Sequence, residues 1–133
     1  ITCRDWSSDV CSSDLHAAPV ATLLKEEYGL SAQAARNFSL ENLKREIASG
    51  QPLIAWVIGN MVGGIPTEYT DQQGVKVIVA AYEHTVIITG YDEKYIRYLN
   101  NGKFYQVPTE TFLNSWGVLG NMVVYHKDKT DQY

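Results

Sequence analysis

The stretch of sequence that decides the fold covers residues 80–92 and reads Ala80-Ala81-Tyr82-Glu83-His84-Thr85-Val86-Ile87-Ile88-Thr89-Gly90-Tyr91-Asp92. The apolar run after His84 is closed by Gly90, which is typical of a buried β-strand rather than of a helix. The imidazole of His84 is therefore predicted at the entrance of a strand, where a catalytic base is often found. The alternative is that His84 only caps the strand or is buried with its polar atoms satisfied. Glu83 is predicted to point to the opposite face of the strand, which makes it a poor candidate for a base.

The first fifteen residues do not read as part of a domain. Translation of a widely used short-read sequencing adapter in one reading frame gives the run Asp5-Trp6-Ser7-Ser8-Asp9-Val10-Cys11-Ser12-Ser13-Asp14-Leu15. We therefore predict that residues 1–15 are adapter-derived and that natural sequence is missing before about His16. The alternative, a natural leader rich in Ser and Asp, would require an eleven-residue coincidence. Both cysteines, Cys3 and Cys11, lie in this segment, so the remainder offers no disulfide, Cys-based zinc site or cysteine nucleophile.

Composition limits the partners of the remaining chain. Residues 16–133 are 118 residues, enough for one small domain with a single core. The full sequence has a net charge of −4, and leaving out the one positive and three negative charges of the first fifteen residues gives −2. Without a basic cluster, the chain is not expected to bind nucleic acid or a membrane surface. Its apolar runs are far shorter than the roughly 20 residues of a membrane-spanning helix.

Metal and cofactor binding are not expected from the remaining residues. The three histidines, His16, His84 and His126, are far apart in the sequence. None of them has a Cys or carboxylate partner at the spacing that metal ligands show. We therefore predict no cofactor.

The remaining pattern predicts an α+β domain. Amphipathic helices are expected at residues 17–28, 40–49 and 110–116, and extended segments at 30–35, 53–59, 75–91, 95–99, 103–107 and 122–125. Residues 60–74 have Gly and Pro but little periodicity, which predicts a long loop. The triplet Asn100-Asn101-Gly102 separates two strand-like runs and predicts a hairpin. The expected architecture has helices packed on a largely antiparallel sheet over residues 16–126, followed by a polar tail at 127–133.

Three segments together point to a known family. These are the end of a helix and an apolar strand (Ile47 to Ile58), the strand from Glu83 to Tyr91, and the short helix Phe112-Leu113-Asn114-Ser115-Trp116. In this order and spacing, over roughly residues 20–125, the chain resembles the bacterial papain-like cysteine peptidases related to bacteriocin-processing double-glycine peptidases. The resemblance implies a papain-like fold that lacks its nucleophile helix. It also implies a peptide or protein substrate and a location outside the bacterial cell or at its surface.

The resemblance also assigns roles to residues. In such enzymes a cysteine attacks the peptide carbonyl, a histidine accepts the thiol proton, and an Asp or Asn orients the histidine. By resemblance His84 is the general base and Asn100 is the candidate for the orienting residue. In the family the orienting residue usually lies four residues before a turn glycine. Counting back from Gly102 without a gap reaches Tyr98, whereas Asn100 takes this position only if two residues are deleted. Asn100 is also interpretable as a plain turn residue. Asn101 is a weaker candidate, and Asp92 is predicted to be too distant.

Two functions of different classes follow from this reading. The leading hypothesis is a fragment of a cysteine peptidase that hydrolyses peptide bonds and whose cysteine lies in the missing upstream segment, together with the Gln of the oxyanion hole. The alternative is a catalytically inactive papain-like module that binds peptide or cell-wall material. A third hypothesis is a chaperone-like or inhibitor-like domain without a site. The sequence favours no particular oligomeric state.

Overall fold

A computed structural model describes residues 17–64, 67–70, 72–74, 76–80 and 82–127. The helices are α1 (Ala17–Tyr28), α2 (Leu40–Ala48) and α3 (Thr109–Gly117), with a 3-10 turn at Gly59–Met61. The strands are β1 (Ala32–Ala35), β2 (Leu53–Ile58), β3 (Thr67–Thr70), β4 (Lys76–Val79), β5 (Glu83–Tyr91), β6 (Tyr95–Asn100), β7 (Lys103–Pro108) and β8 (Val123–His126). The predicted α+β class is confirmed. The segment predicted to be adapter-derived, His16 and most of the predicted tail lie outside the described residues.

Six of the strands form one antiparallel sheet in the order β1-β8-β2-β5-β6-β7. The central strand β2 pairs with β5 along its whole length, from Leu53 opposite Ile88 to Ile58 opposite Glu83. Its sequence is almost wholly apolar because both of its faces are covered, as expected of a central strand. This pairing places His84 opposite Val57, at the end of the sheet where β2 finishes.

Helices cover the two faces of the sheet unequally. The helices α2 and α3 cover one face and contribute Leu43, Phe112 and Trp116 to the larger core cluster. Helix α1 covers part of the other face, where its buried residues join a second cluster that contains Trp56. Trp56 and Trp116 are 2% and 0% exposed, so both are core residues rather than binding platforms.

The loop predicted at residues 60–74 is wrong at β3, and the extended segment predicted at 75–91 contains β4 but is interrupted before β5. The predicted loop contains β3, which pairs with β4 in a separate two-stranded sheet. The β-branched run at 75–82 therefore does not continue into β5. The chain turns before β5 at Tyr82, whose φ of 62° lies in the left-handed region. A residue in that conformation ends an extended run, because a strand requires negative φ throughout.

The buried strand predicted after His84 is β5, and its two faces are unequally covered. Val86 and Ile88 are buried, but Ile87 between them is 38% exposed. Alternate side chains of a strand point to opposite faces. Ile87 therefore belongs to the face of α1, and α1 packs mainly against β1 and β8.

Two negative findings apply to the described residues. No helix among them is long and apolar enough to cross a bilayer. Nor does this part of the chain bring together three His, Cys, Asp or Glu side chains that could hold a metal ion.

Candidate active site

The strands β5 and β6 bring His84 and Asn100 to the same face of the sheet. In β5, His84, Val86 and Ile88 alternate onto one face. The pairing of Ile88 with Tyr98 puts Tyr98 on that face too, and Asn100 lies two residues further along β6. The turn formed by Asn101 and Gly102 reverses the chain directly after Asn100, at the end of the sheet that carries His84.

A hydrogen bond joins the two side chains. The distance between His84 Nε2 and Asn100 Oδ1 is 2.7 Å, and both residues are half-buried. An amide oxygen only accepts hydrogen bonds, so Nε2 carries the proton and donates it. In the neutral ring the proton is then absent from Nδ1, whose lone pair is left to accept a proton. Asn100 therefore fixes both the orientation and the tautomer of the imidazole.

A small cleft of about 140 Å³ adjoins this pair. Besides His84 and Asn100 it is lined by Val57, Ile58, Met61, Val86, Tyr98 and Tyr105. The rings of Tyr98 and Tyr105 stack with their centroids 5.6 Å apart. Burial raises the pKa of Tyr98 above its ordinary value of 10.0, and the neighbouring Tyr105 raises this pKa further. The phenol of Tyr98 is therefore neutral wherever a thiol–imidazole pair would operate.

Two hydrogen bonds hold the segment that leads into His84. The N–H of Gly59 donates to the carbonyl oxygen of Tyr82 at 2.8 Å, which ties this segment to the end of β2. The N–H of Ala80 donates to Oε1 of Glu83 at 2.9 Å. Glu83 is buried and its carboxylate caps this turn, in agreement with the prediction that it is a poor base candidate. These contacts stabilise the left-handed conformation of Tyr82, two residues before the histidine.

Helix α1 begins at the end of the sheet where His84 lies. Its first residue, Ala17, is buried in one cluster with Ile58, and Ile58 pairs with Glu83 next to the histidine. Val20, in the first turn of α1, lies across a groove from Asn100. The chain therefore enters α1 beside the strand ends that present the imidazole and the amide.

The other sequence candidates have different surroundings. Oδ1 of Asp92 accepts hydrogen bonds from the backbone N–H groups of Lys94 and Tyr95, and these bonds lower the pKa of Asp92. Its other oxygen lies 3.6 Å from the guanidinium of Arg97, so Asp92 stabilises the β5–β6 turn. Asn101 is exposed in the hairpin turn with a φ of 51°.

Sequence reasoning missed two residues of the cleft. Tyr105 reaches the cleft because it pairs with Tyr98 in the β6–β7 hairpin. The turn at Asn101 and Gly102 could have revealed this pairing, because a two-residue turn fixes the register of its strands. Met61 lies in the 3-10 turn after β2, and no periodic signal in the sequence marks it.

One family model and several uncharacterized proteins match this chain. The model of the Peptidase_C39 like family matches residues 2–124, a range that includes most of the segment predicted to be adapter-derived. Uncharacterized proteins of Mycobacterium bovis and Mycobacterium tuberculosis are each 28% identical over 115 residues, which is 82% of this chain and 47% of theirs. The chain thus spans about half the length of the curated relatives it matches.

The fold is also similar to that of a solved structure. A crystal structure from Bacillus anthracis, assigned as a C39-like peptidase, superposes with a TM-score of 0.74 at 21% identity. The similarity covers 87% of this chain and 60% of the other. At this level of identity the comparison shows the fold, and it confirms the papain-like architecture inferred from the sequence.

Proposed function

Because the chain belongs to the Peptidase_C39 like family, we propose that it is part of a cysteine peptidase in which His84 is the general base and Asn100 orients it. The observation that carries this proposal is the hydrogen bond of 2.7 Å between Nε2 of His84 and Oδ1 of Asn100. This bond leaves Nδ1 as the proton acceptor and fixes the orientation of the ring. A general base in a cysteine peptidase requires both properties.

The proposed reaction is acyl transfer to a cysteine followed by hydrolysis. Nδ1 of His84 takes the thiol proton, and the thiolate attacks the carbonyl carbon of the scissile peptide bond. The C–N bond breaks as the imidazolium returns its proton to the leaving amine, and a thioester remains. Water, deprotonated by the same imidazole, then attacks the thioester and releases the carboxylate and the thiol. Asn100 Oδ1 accepts a hydrogen bond from Nε2–H throughout and holds the ring in place.

We propose that the nucleophile is a cysteine in the natural sequence directly upstream of α1. Residues 16–133 contain no cysteine, and Cys3 and Cys11 belong to the segment that we predict to be adapter-derived. The position of α1 supports this location, since the helix begins where His84 and Asn100 lie. This proposal places the thiol at the N-terminus of α1 itself, in place of the separate nucleophile helix that the resemblance led us to expect upstream. A thiol at a helix N-terminus ionises more readily, because the helix dipole favours the thiolate.

The test is to restore the natural upstream sequence and to measure hydrolysis of a peptide library. We expect hydrolysis by the restored protein, and its loss when the upstream cysteine is replaced by alanine. The restored protein with Asn114→Ala, an exposed change on α3, is a matched control that should keep full activity. Hydrolysis that is unchanged after removal of the cysteine would reject the proposal.

A catalytically inactive, peptide-binding module is the second candidate function. This candidate rests on Tyr98. Counting back from Gly102 without a gap puts this tyrosine at the position where the family carries the residue that orients the histidine. The absence of any cysteine from the natural upstream sequence would favour this module, because the imidazole would then have no thiol to deprotonate.

A further inference from the structure

The cleft at His84 contains a tyrosine hydroxyl that the fold does not use. Within the described part of the chain, the phenol oxygen of Tyr98 makes no hydrogen bond, and it is not one of the side-chain atoms that are fully buried there without a partner. The oxygen therefore remains accessible. Tyr98 lines the cleft together with His84 and Asn100, so a molecule bound in the cleft can reach this hydroxyl.

Tyr98 lies on the face of the sheet that carries the imidazole. It pairs with Ile88, and Ile88 shares the face of His84 in β5. Asn100, which holds the imidazole, is two residues further along β6. The backbone of Tyr98 is therefore about 7 Å from that of Asn100, measured along the strand. One extended peptide can contact the phenol and the imidazole at the same time.

Packing holds the ring of Tyr98 in place. The ring stacks on that of Tyr105 with the centroids 5.6 Å apart, and it packs against the larger core cluster. Tyr98 is half-buried, whereas Tyr105 is 45% exposed. Because water competes less for a hydrogen bond in a partly dehydrated place, the phenol of Tyr98 is the better binding group of the two. Burial also raises the pKa of Tyr98, so its hydroxyl keeps the proton that it would donate.

The surroundings of this donor favour an uncharged acceptor. None of the residues that line the cleft is Lys, Arg, Asp or Glu. A carboxylate would lose its hydration in the cleft without meeting a cation, whereas an amide carbonyl loses much less. A peptide backbone has such a carbonyl at every residue.

We infer that Tyr98 is a substrate-binding residue, whose phenol donates a hydrogen bond to a backbone carbonyl of the peptide about two residues from the scissile bond. This inference rests on the proposed peptidase function for the place of the scissile bond. Tyr98 takes no part in proton transfer. Because the accepting carbonyl is remote from the reacting one, the hydrogen bond has the same strength in the ground state and in the transition state.

Binding can be measured on the chain as it stands, because the contact needs no nucleophile. The probe is acetyl-Ala-Ala-Ala-amide, titrated at millimolar concentration while the NMR signals of Tyr98 and His84 are followed. Tyr98→Phe keeps the stacked ring and removes only the hydroxyl, so it should bind the probe about 3- to 10-fold more weakly, as the loss of one neutral hydrogen bond implies. Its melting temperature should not change, since the hydroxyl has no partner within the described residues.

A matched control comes from the same strand. Tyr95→Phe removes a phenol from β6 outside the cleft and should bind the probe like the wild type. Equal affinity of Tyr98→Phe and the wild type, or no shift of the Tyr98 and His84 signals with the probe, would overturn the inference.

Changing the acceptor distinguishes a direct contact from a structural role of Tyr98. In a series of probes, one carbonyl oxygen at a time is replaced by sulfur, which is a weaker hydrogen-bond acceptor. At one position of the series, the replacement should weaken binding to the wild type but not to Tyr98→Phe, because the variant has no donor to lose. Equal losses for both proteins at every position would reject the contact.

Kinetics of the restored protein separate this inference from the peptidase function. Tyr98→Phe should raise KM about 3- to 10-fold and leave kcat unchanged, as expected for an interaction made equally in both states. If probe binding depends on the hydroxyl but hydrolysis persists without the upstream cysteine, the role of Tyr98 stands and the peptidase mechanism falls. If hydrolysis requires the cysteine but KM is the same with Tyr98→Phe, the mechanism stands and the role of Tyr98 is rejected.

Discussion

Replacing Asn100 by alanine should weaken the fold and release the imidazole of His84. The substitution removes the acceptor that lies 2.7 Å from Nε2. A hydrogen bond of this kind contributes about 0.5–1.5 kcal/mol net to folding. Because both side chains are only half-buried, water can replace the lost acceptor, so we expect a loss of about 1 kcal/mol rather than more. For a domain of this size the melting temperature should fall by about 4 °C.

Two measurements follow this change. Urea unfolding gives the free energy, and ¹⁵N NMR of the ring nitrogens of His84 gives the tautomer. The wild type should carry its proton on Nε2, whereas Asn100→Ala should show a mixture of both tautomers. Asn100→Asp, which keeps an acceptor, should retain the Nε2–H form. Asn114→Ala, an exposed asparagine on α3, should change stability by less than about 0.5 kcal/mol. An Asn100→Ala variant with wild-type stability and a pure Nε2–H tautomer would refute the reasoning.

Three further predictions concern the elements that hold the site. Ser115→Ala should lower the free energy of unfolding by about 1–3 kcal/mol in urea titrations, because the fully buried Ser115 hydroxyl accepts the Ile58 N–H at 2.9 Å. The raised pKa of Tyr98 should appear as an absorbance midpoint above pH 10.0, and Tyr105→Phe should bring it closer to 10.0 by removing the neighbouring charge. The pKa of Tyr98 is higher in the folded than in the unfolded protein, so folding favours the neutral phenol. The stability that Tyr98 contributes in this form is fully present below pH 10 and is lost as the pH rises through the folded pKa. Ser39→Ala, which removes the N-cap of α2, should cost about 1 kcal/mol by the same urea measurement.

Local signals in the sequence predicted most of the main sheet and its helices. The cap at Ser39 and the turn at Asn101 and Gly102 are chemical signals that act over a few residues. The structure has α2 and the β6–β7 hairpin at these places. The apolar run at β2 correctly indicated a strand covered on both faces, because that pattern depends on burial alone.

Other features depend on contacts that local patterns do not encode. The strands β3 and β4 pair only with each other within the described part. The β-branched run indicated β4, whereas β3 lies among residues with too little periodicity to be distinguished from a loop. The exposure of Ile87 depends on how far α1 extends across the sheet, which its own sequence does not determine.

The choice between Asn100 and Tyr98 at the site was also open in the sequence. Counting along a strand assumes regular pairing, but the register between β5 and β6 shifts between Ile88 and Gly90. The structure places Asn100 in hydrogen-bond contact with the imidazole and stacks Tyr98 on Tyr105. The catalytic roles of His84 and Asn100 stay predictions.

The rate of peptide hydrolysis after replacement of His84 tests the central claim most directly. With the natural upstream sequence restored, kcat/KM would be compared for the wild type, His84→Ala and the control Asn114→Ala. The proposed role of His84 as the base predicts that His84→Ala lowers kcat/KM by about 10²–10⁴-fold, the usual contribution of general acid–base catalysis, while the control keeps the wild-type rate. A folded His84→Ala protein that hydrolyses the peptides at the wild-type rate would contradict that role.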